Sequence, residues 1–546
     1  MNIKHKLEQE IASQMIKDSS HIEVKLSEPK DPKLGDYSTS IAFTLAKRCD
    51  LKSRPPREVA SELVSKLKFD PGLVDHIEVG GDGFINLWLS RDFIHSFLIE
   101  ILRKGNQFGS SNIGDGKRVL VEFVSANPTG PLNVANGRAA AVGDSIVRIL
   151  NFTGYNTDSE YYVDDCGRQI DLLEESIKAR YEEEVRPQEV RPQLNVKVVE
   201  LPENGYKGEY IKDIAMELRD SGRKDFREYG VKRIIESQRS TLENFGVKFD
   251  GWVYESDIRK SGRPDEVIEI IKEKKLAYKK DGALWLKMNE FGDDKDKVLV
   301  KKNGEFTYLV PDIAYHLNKF DRGYALLINL FGPDHLAHIP ELKAGISICG
   351  YPREALRVIV VQWVTIVRKG EKIGMSKRKG EFISLKSLIN EVGKDAARFF
   401  FLTRKCDSHL DFNIELAKQE SQENPVYYIQ YACARIASIL RFAEEKGIKS
   451  ASPNLSCLST PEELLLTRKL IHFPEIVELA SLELAPHYIP FYLIELATIF
   501  HNFYEKYKVV SDDIPLTYAR LTLVSAVRQV ISNALSLIGI KAPERM

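Results

Sequence analysis

Cysteine is scarce in this sequence. Six cysteines occur among 546 residues, and they are scattered, with no C-x-x-C pair. Few, scattered cysteines argue against a disulfide framework, and the lack of a C-x-x-C pair argues against a structural zinc site; no other metal centre is predicted. The same scarcity is typical of proteins that work in a reducing compartment. We therefore expect a cytoplasmic protein without structural zinc.

The chain also lacks a long apolar run and an excess of charge of either sign. No stretch approaches the roughly 18 consecutive apolar residues of a membrane-spanning helix. The first ten residues, MNIKHKLEQE, are charged and amphipathic and contain no signal-peptide core. Lys and Arg number 78 against 79 Asp and Glu, which gives a net charge of −1. Composition therefore predicts no membrane association, and any nucleic-acid contact must come from a local patch.

A strand, a turn and a helix follow one another near residue 120. Val119–Val124 is an apolar run of strand length, and Pro128, Gly130 and Pro131 then exclude regular structure. From Val134 onward apolar residues recur at four-residue intervals, which predicts a helix. A helix N-terminus after a buried strand presents free N–H groups to a phosphate. An ordinary βα unit has the same pattern, so the pattern alone does not establish a nucleotide site.

Five stretches of the sequence resemble one family. They are SANPTGPLNVANGR at 125–138, YYVDDCGRQ at 161–169, GMSKRKG at 374–380, NPVYYIQY at 424–431 and APERM at 542–546. The first and third resemble the two signature regions of class I aminoacyl-tRNA synthetases, and all five are similar to blocks of the arginyl-tRNA synthetases. Several motifs in the family's order are far more specific than any one of them. The resemblance extends from about Gly35 to the last residue.

The resemblance implies an ATP-dependent ligase that attaches L-arginine to its cognate tRNA. The reaction would pass through an arginyl-adenylate and release AMP and pyrophosphate. L-arginine, tRNA and ATP with Mg²⁺ would be its substrates, with no prosthetic group, and a monomer is expected. A non-catalytic, synthetase-like paralogue that binds arginine or tRNA is the alternative. A nucleotidylyltransferase with another acceptor is disfavoured by the long helical C-terminal region.

The expected fold class is α/β. A Rossmann-type parallel-sheet catalytic domain is predicted, with an N-terminal α/β module and a C-terminal all-α helical bundle. By resemblance, residues 1–113 form an additional tRNA-contacting module, residues 114–388 the class I catalytic domain with insertions, and residues 389–546 the anticodon-binding domain. A scaffold without a ligand is the alternative for the first module. Apolar runs predict buried parallel strands at Leu326–Phe331 and Val358–Val361.

Other elements are predicted from local patterns. Residues Tyr37–Lys47 and the charged region Ile211–Asn244 both have helical periodicity. Asn303-Gly304 is a strong two-residue hairpin signal leading into a strand at Glu305–Val310. Residues 182–204 contain a charged tandem repeat and are interpreted as a solvated insertion loop.

Lys377, in the second signature, is the predicted transition-state contact. Aminoacyl-adenylate formation needs positioning and neutralised charge rather than a nucleophilic side chain. The resemblance implies that Lys377 follows negative charge onto the leaving pyrophosphate, with Met375 and Ser376 beside ATP. A run such as Arg378-Lys379 is by itself typical of a solvated loop. The family usually has Lys where this chain has Gly374.

The first signature departs from the family at two positions. Members commonly have a His-x-Gly-His tetrad where this chain has Asn133-Val-Ala-Asn136. An Asn amide also donates hydrogen bonds, but as a neutral group. We expect Asn133 and Asn136 to act in catalysis as donors to ATP, with Gly137 beside them, and loss of amino-acid activation is the alternative. By resemblance, Asp334 and His335 lie near the ATP ribose and adenine.

Carboxylates are expected to select arginine, because a planar, forked guanidinium matches bidentate carboxylate contacts. The resemblance implies that Glu122, Tyr308 and Asp312 hold the side chain. Ser125 and Asn127 would hold the α-amino or carboxylate end. Structural alternatives exist for all five: a strand-end salt bridge for Glu122, a core aromatic for Tyr308, an N-cap for Asp312 and turn chemistry for the other two.

Three tyrosines are predicted to contact tRNA, namely Tyr427, Tyr428 and Tyr431. Aromatic rings stack on nucleotide bases, although tyrosines at this spacing are more often part of a core. For His338, the sequence does not distinguish a structural from a functional role.

Overall fold

The chain begins with a small α/β module. The computed structural model describes residues 2–15, 23–29, 31–47, 54–185, 201–292, 294–373, 383–448 and 453–546. The elements of the module are α1 Ile3–Met15, β1 Tyr37–Thr39, α2 Ile41–Ala46, α3 Pro56–Lys66, β2 Val74–Gly80, β3 Phe84–Leu89 and α4 Arg91–Lys104. Strand β3 lies between β1 and β2 and is antiparallel to both. The predicted helix over Tyr37–Lys47 is wrong at its start, because residues 37–39 are buried and pair with β3.

Strands alternate with helices over residues 118–373. In chain order the elements are β4 Arg118–Glu122, α5 Val134–Phe152, β5 Asn156–Val163, α6 Arg168–Val185, α7 Glu209–Ser221, α8 Phe226–Asn244, β6 Gly251–Tyr254, α9 Glu255–Lys260, α10 Arg263–Glu273, β7 Ala277–Lys280, β8 Ala283–Leu286, β9 Lys297–Val300, α11 Leu309–Asp321, β10 Leu326–Phe331, α12 His338–Ile348, β11 Leu356–Val360, β12 Val364–Arg368 and β13 Glu371–Ile373. The predicted helices and the buried strands of this region are present with shifted ends.

Three local predictions need correction. The region Ile211–Asn244 is two helices, since Gly222 ends α7 in the left-handed region. The predicted strand over residues 305–310 is wrong: a single bridge joins Phe306 to Val300, and α11 already begins at Leu309. The chain turns there because the Thr307 hydroxyl donates to a carbonyl of β9 at 2.7 Å. The predicted loop at 182–204 is helical up to residue 185, and residues 186–200 lie outside the described part.

Five strands form one parallel sheet in the order β11-β10-β4-β5-β6. Residues 119–122 of β4 align with 326–329 of β10 on one side and with 157–160 of β5 on the other. The chain leaves β4 towards β5 and later returns to the other side of β4 as β10. Open α/β sheets bind ligands at the carboxyl ends of their strands, beside such a switch point. The carboxyl end of β4 is therefore the expected position of the site.

Helices dominate the rest of the chain. The elements are α13 Leu385–Val392, α14 Lys394–Phe401, β14 Leu410–Asn413, α15 Ile414–Lys418, α16 Pro425–Glu445, α17 Pro461–Ile471, α18 Phe473–Leu482, α19 Tyr488–Lys506 and α20 Ile514–Leu537. Strand β14 lies parallel to β12, which also pairs with β13. Among the described helices, none is long and apolar enough to cross a membrane.

The N-terminal module and the C-terminal helices share one core. Helix α4 packs against α17 and α20. Polar contacts reinforce this packing: Asp36 Oδ1 lies 2.7 Å from Arg468 Nε. The Asn533 amide donates to the carbonyls of Gly105 and Phe108, both at 2.9 Å. The N-terminal module and the C-terminal helices are therefore in direct contact.

Candidate active site

The chain turns sharply where β4 ends. Val124 and Ser125 have φ angles of 69° and 36°, in the left-handed region that residues with a Cβ seldom occupy. The Ser125 hydroxyl donates to Glu122 Oε1 at 3.0 Å and accepts from the amide of Tyr162 at 3.1 Å. The strained turn thus joins the ends of β4 and β5. Backbone strain of this kind clusters at functional sites.

Glu122, predicted to hold the guanidinium, is paired within the protein. It is 6% exposed, and its Oε2 accepts from Lys319 Nζ at 2.5 Å. Lys319 is fully buried and lies 4.0 Å from the ring centroid of Tyr315. The Tyr315 hydroxyl donates to Glu160 at 2.7 Å, and Glu160 is paired with Arg322. The strand-end salt bridge is therefore present, but it leaves lone pairs on Glu122 for a further donor.

Replacing Lys319 with Met is expected to destabilise the protein by about 3–5 kcal/mol, because Glu122 would remain buried without its cation. The urea midpoint, measured by intrinsic fluorescence, should fall. Adding Glu122→Gln to K319M should restore most of the lost stability, because a neutral amide then replaces the buried carboxylate. Lys301→Met is the matched control, since Lys301 and Glu305 form an exposed pair at 3.2 Å, and such pairs contribute little. Equal midpoints for K319M and the control would contradict the prediction.

A second cluster surrounds Asp312 in the first turn of α11. Its Oδ2 is paired with Nε2 of His338 at the start of α12, and its Oδ1 lies 3.2 Å from Nδ1 of His316. His338 lies between two carboxylates, since its Nδ1 is 3.6 Å from Glu341 Oε2. The Tyr308 hydroxyl donates to the same Oε2 at 3.2 Å, and its ring packs edge-on against His338. Two predicted arginine contacts, Tyr308 and Asp312, therefore belong to one cluster.

The structural alternatives for these two residues do not hold. Tyr308 is 63% exposed, so it is not a core aromatic. The N-cap of α11 is Tyr308, so Asp312 is not the capping residue, although it lies in the first turn. The Asp312 carboxylate is instead occupied by two histidines.

The charges of this cluster shift one another's pKa values. Burial lowers the pKa of His338, but the Asp312 and Glu341 carboxylates outweigh burial and raise it to about 9. Burial raises the pKa of Asp312, but His316 and His338 outweigh burial and hold it well below its usual value. Burial also acts against ionisation of Glu341, yet His338 and Lys297, whose Nζ lies 2.7 Å away, lower its pKa to about 2. At neutral pH the cluster holds two carboxylates and an imidazolium.

Asn133 and Asn136 form a reciprocal cap at the N-terminus of α5. Asn133 Oδ1 accepts from the Asn136 amide at 2.9 Å, and Asn136 Oδ1 accepts from the Asn133 amide at 3.0 Å. Because the oxygens are used in the cap, the side-chain nitrogens are the groups left to donate to a ligand. An added Cβ at Gly137 would lie 2.5 Å from Leu385, so this glycine permits close packing. Its contact with ATP stays a prediction.

The other predicted ATP residues lie in two places. Asp334 and His335 occupy an exposed turn after β10, with His335 Nε2 3.6 Å from Asp334 Oδ2. Three residues lie outside the described part of the chain, namely Met375, Ser376 and Lys377. The chain is described again from residue 383, and Ser384 forms a β-bridge with Asn133. Ser384 therefore lies beside the N-terminus of α5.

Asn127 and the three tyrosines make other contacts. Asn127, in the loop after β4, donates to Gln169 at 2.9 Å. The tyrosines all lie in the first two turns of α16: Tyr427, Tyr428 and Tyr431. The rings of Tyr428 and Tyr431 pack against His501, at 4.2 and 5.7 Å between centroids. The tyrosines thus belong to the helical bundle and not to the crevice beside β4.

Sequence reasoning missed His316, Lys319 and Glu341. A signal was available for the first two, because with Asp312 they fall at i, i+4 and i+7, on one face of α11. Glu341 gives a weaker signal: it follows His338 by three residues on α12, and the packing of α12 against α11 brings both residues to the cluster. No group of three or more His, Cys, Asp or Glu side chains in the described ranges is arranged to hold a metal ion.

Three family models match the chain. The arginyl tRNA synthetase N terminal domain matches residues 1–89, the catalytic domain of class I (R) tRNA synthetases residues 98–410, and the DALR anticodon binding domain residues 429–546. The arginine–tRNA ligase of Bacillus licheniformis is 42% identical over the whole of this chain and 99% of its own. That of Bacillus subtilis is 41% identical with the same coverage. This chain belongs to the arginyl-tRNA synthetases.

A solved Thermus thermophilus arginyl-tRNA synthetase has the same fold, with a TM-score of 0.80 over the whole of both chains at 24% identity. The predicted fold class, a parallel-sheet catalytic domain with a helical bundle, is confirmed. The predicted enzyme class is confirmed by the relatives and the family models. This arginyl-tRNA synthetase is a ligase that joins L-arginine to tRNA.

Proposed function

We propose that L-arginine and ATP react in the crevice between the turn after β4 and the N-terminus of α5. The guanidinium contacts Asp312, Glu122 and the hydroxyl of Tyr308, while Ser125 and Asn127 hold the α-amino or carboxylate end. The observation that carries the proposal is the ionised, largely enclosed Asp312 carboxylate beside the exposed Tyr308. A planar, forked cation fits such a carboxylate better than the ammonium of lysine does.

ATP, bound with Mg²⁺ as a substrate complex, places its phosphates at the N-terminus of α5. Free N–H groups and the helix dipole stabilise anions there. The side-chain nitrogens of Asn133 and Asn136 donate to phosphate oxygens, with Gly137 beside them. Asp334 and His335 lie on the ribose and adenine side. Met375, Ser376 and Lys377 contact the phosphates, and the match of the class I catalytic-domain model over residues 98–410 supports this assignment.

The reaction needs no nucleophilic side chain. An α-carboxylate oxygen of arginine attacks the α-phosphorus of ATP, a bond to the bridging oxygen breaks, and pyrophosphate leaves with its charge neutralised by Lys377. A terminal ribose hydroxyl of tRNA then attacks the carbonyl carbon of the adenylate, loses its proton and displaces AMP. The protein contributes positioning and preorganised charge in both steps.

The tRNA contacts three proposed domains. Residues 1–113 touch the corner of the tRNA, residues 114–388 hold the reacting end, and residues 389–546 bind the anticodon. Aromatic rings on α16 stack on bases: Tyr427, Tyr428 and Tyr431. The enzyme works as a monomer in the cytoplasm.

Charging of total tRNA by the purified protein tests the function. With ATP and each amino acid in turn, we expect arginine alone to be attached, because the carboxylate site selects a guanidinium. ATP–pyrophosphate exchange should appear with arginine, with tRNA present. Binding of arginine or tRNA with no exchange would identify a non-catalytic paralogue instead.

A further inference from the structure

Asp312 is already paired with a planar cation of the protein itself. His338 Nε2 is paired with Asp312 Oδ2, and His338 Nδ1 faces Glu341 Oε2 at 3.6 Å. That Nδ1 is buried and has no hydrogen-bond partner in the described structure. The rings of Tyr308 and Phe331 pack on the imidazole, at 5.0 and 6.4 Å between centroids. His338 therefore occupies the kind of place that a guanidinium needs: between two carboxylates and beside aromatic rings.

The charges around His338 balance. Helix α11 contributes the Asp312 carboxylate and, on its other side, His316, whose Nδ1 donates to the Asp312 carbonyl at 2.8 Å while its Nε2 accepts from the Asn329 amide at 2.9 Å, the hydrogen bonds of a neutral ring. The N-cap of α11 contributes the Tyr308 hydroxyl, and α12 contributes Glu341. Strand β9 contributes Lys297, whose ammonium lies 2.7 Å from Glu341. Two carboxylates thus face one ammonium and one imidazolium. A guanidinium added to this largely enclosed cluster would leave one positive charge in excess, which is costly away from water.

We propose that L-arginine binds with release of the His338 proton to solvent, so that its guanidinium replaces the imidazolium as the cation between Asp312 and Glu341. This inference rests on the proposed placement of the arginine side chain at Asp312. It adds Glu341 to Asp312 and Glu122 as a further carboxylate of the guanidinium site, and it makes His338 a residue that determines specificity. A neutral analogue such as citrulline cannot replace the imidazolium, so it is excluded by charge as well as by shape.

The exchange makes arginine affinity depend on pH. The free enzyme holds the His338 proton with a pKa of about 9. A guanidinium beside the ring lowers that pKa, because like charges disfavour each other. Below about pH 9 the proton must leave as arginine binds, so affinity rises with pH, by up to about tenfold per pH unit for one linked proton. The guanidinium of arginine keeps its charge throughout this range.

Calorimetric titration of the full chain with L-arginine, in buffers of different ionisation enthalpy, measures the protons released. Near pH 7, the wild type should release close to one proton per arginine and bind several-fold more tightly one pH unit higher. His338→Gln keeps a donor for Asp312 without a titrating ring, so it should bind arginine with no proton release and little pH dependence. His409→Gln removes an exposed histidine 3.2 Å from Asp411 and should behave as the wild type.

Two failures can be distinguished. Equal proton release by the wild type and H338Q would overturn this proposal. If Asp312→Asn also lost arginine binding, the proposed placement of arginine at Asp312 would still stand. Unchanged binding in D312N would overturn the placement of arginine and this proposal with it. If H338Q does not fold, Glu341→Gln replaces it: with one carboxylate removed, wild-type proton release would overturn the proposal and reduced release would support it.

Discussion

Replacing Asp312 with Asn is expected to lower kcat/KM for arginine in aminoacylation about 10²- to 10³-fold. The substitution keeps the shape of the side chain but removes its charge. Truncating one partner of an enclosed, hydrogen-bonded charge pair costs about 2–5 kcal/mol, a range that includes this loss. Discrimination against lysine and citrulline should fall as well, because Asp312 matches both the charge and the fork of the guanidinium. Charging rates with each amino acid measure both effects.

Asp321→Asn is the matched control for this experiment. Asp321 is at the other end of the same helix, where its carboxylate is 42% exposed and paired with Arg263. Exposed pairs contribute little, so D321N should charge arginine at close to the wild-type rate. If D312N retained the wild-type preference for arginine over lysine and citrulline, the assignment of Asp312 to the guanidinium would be wrong.

Lys377→Ala is expected to reduce arginine charging about 10²- to 10³-fold, mainly through kcat. An ammonium that follows charge onto pyrophosphate acts in the transition state, and removing one such contact usually costs a few kcal/mol. Binding of arginine, measured by calorimetry, should stay unchanged, since the contacts proposed for Lys377 are with the phosphates and not with the amino acid. Single-turnover formation of the adenylate in the presence of tRNA measures the step directly.

Lys379→Ala provides the comparison for Lys377, because it removes an equal charge from the same segment. It should lower charging only slightly, because no contact with the phosphates is proposed for Lys379. A K377A enzyme that charged arginine within about threefold of the wild type would refute the transition-state role, since contacts of this kind contribute far more.

The sequence predicts the framework of the site better than its charge pairing. Strands β4 and β10 follow from their apolar, β-branched runs, and the start of α5 follows from the Gly/Pro turn before it. The sequence places Glu122 on the first strand, which the structure ends at that residue, and the alternative of a strand-end salt bridge is present. Its pairing with Lys319 has no signal in the sequence, because Lys319 lies 197 positions away on α11 and only tertiary packing brings the two residues together.

The other contacts that the sequence does not predict are made by the packing of distant elements. His338 reaches Asp312 because β10 and the turn after it reverse the chain between α11 and α12. Glu341 meets Lys297 only because α12 packs beside β9. The first strand, Tyr37–Thr39, has a sequence compatible with a helix, and it is its pairing with β3 that decides its structure. At Tyr37–Thr39, tertiary context overrides the local helical propensity.

The shared core of α4 and α20 has a consequence for biosynthesis. The ribosome completes α4 when about four fifths of the chain is still unmade, and α20 emerges last. At roughly 5–20 residues per second, the surface of the first module that packs against α20 stays uncovered for some tens of seconds. Chaperones that shield apolar surface on nascent chains thus have a defined window, which closes only after α20 has left the exit tunnel.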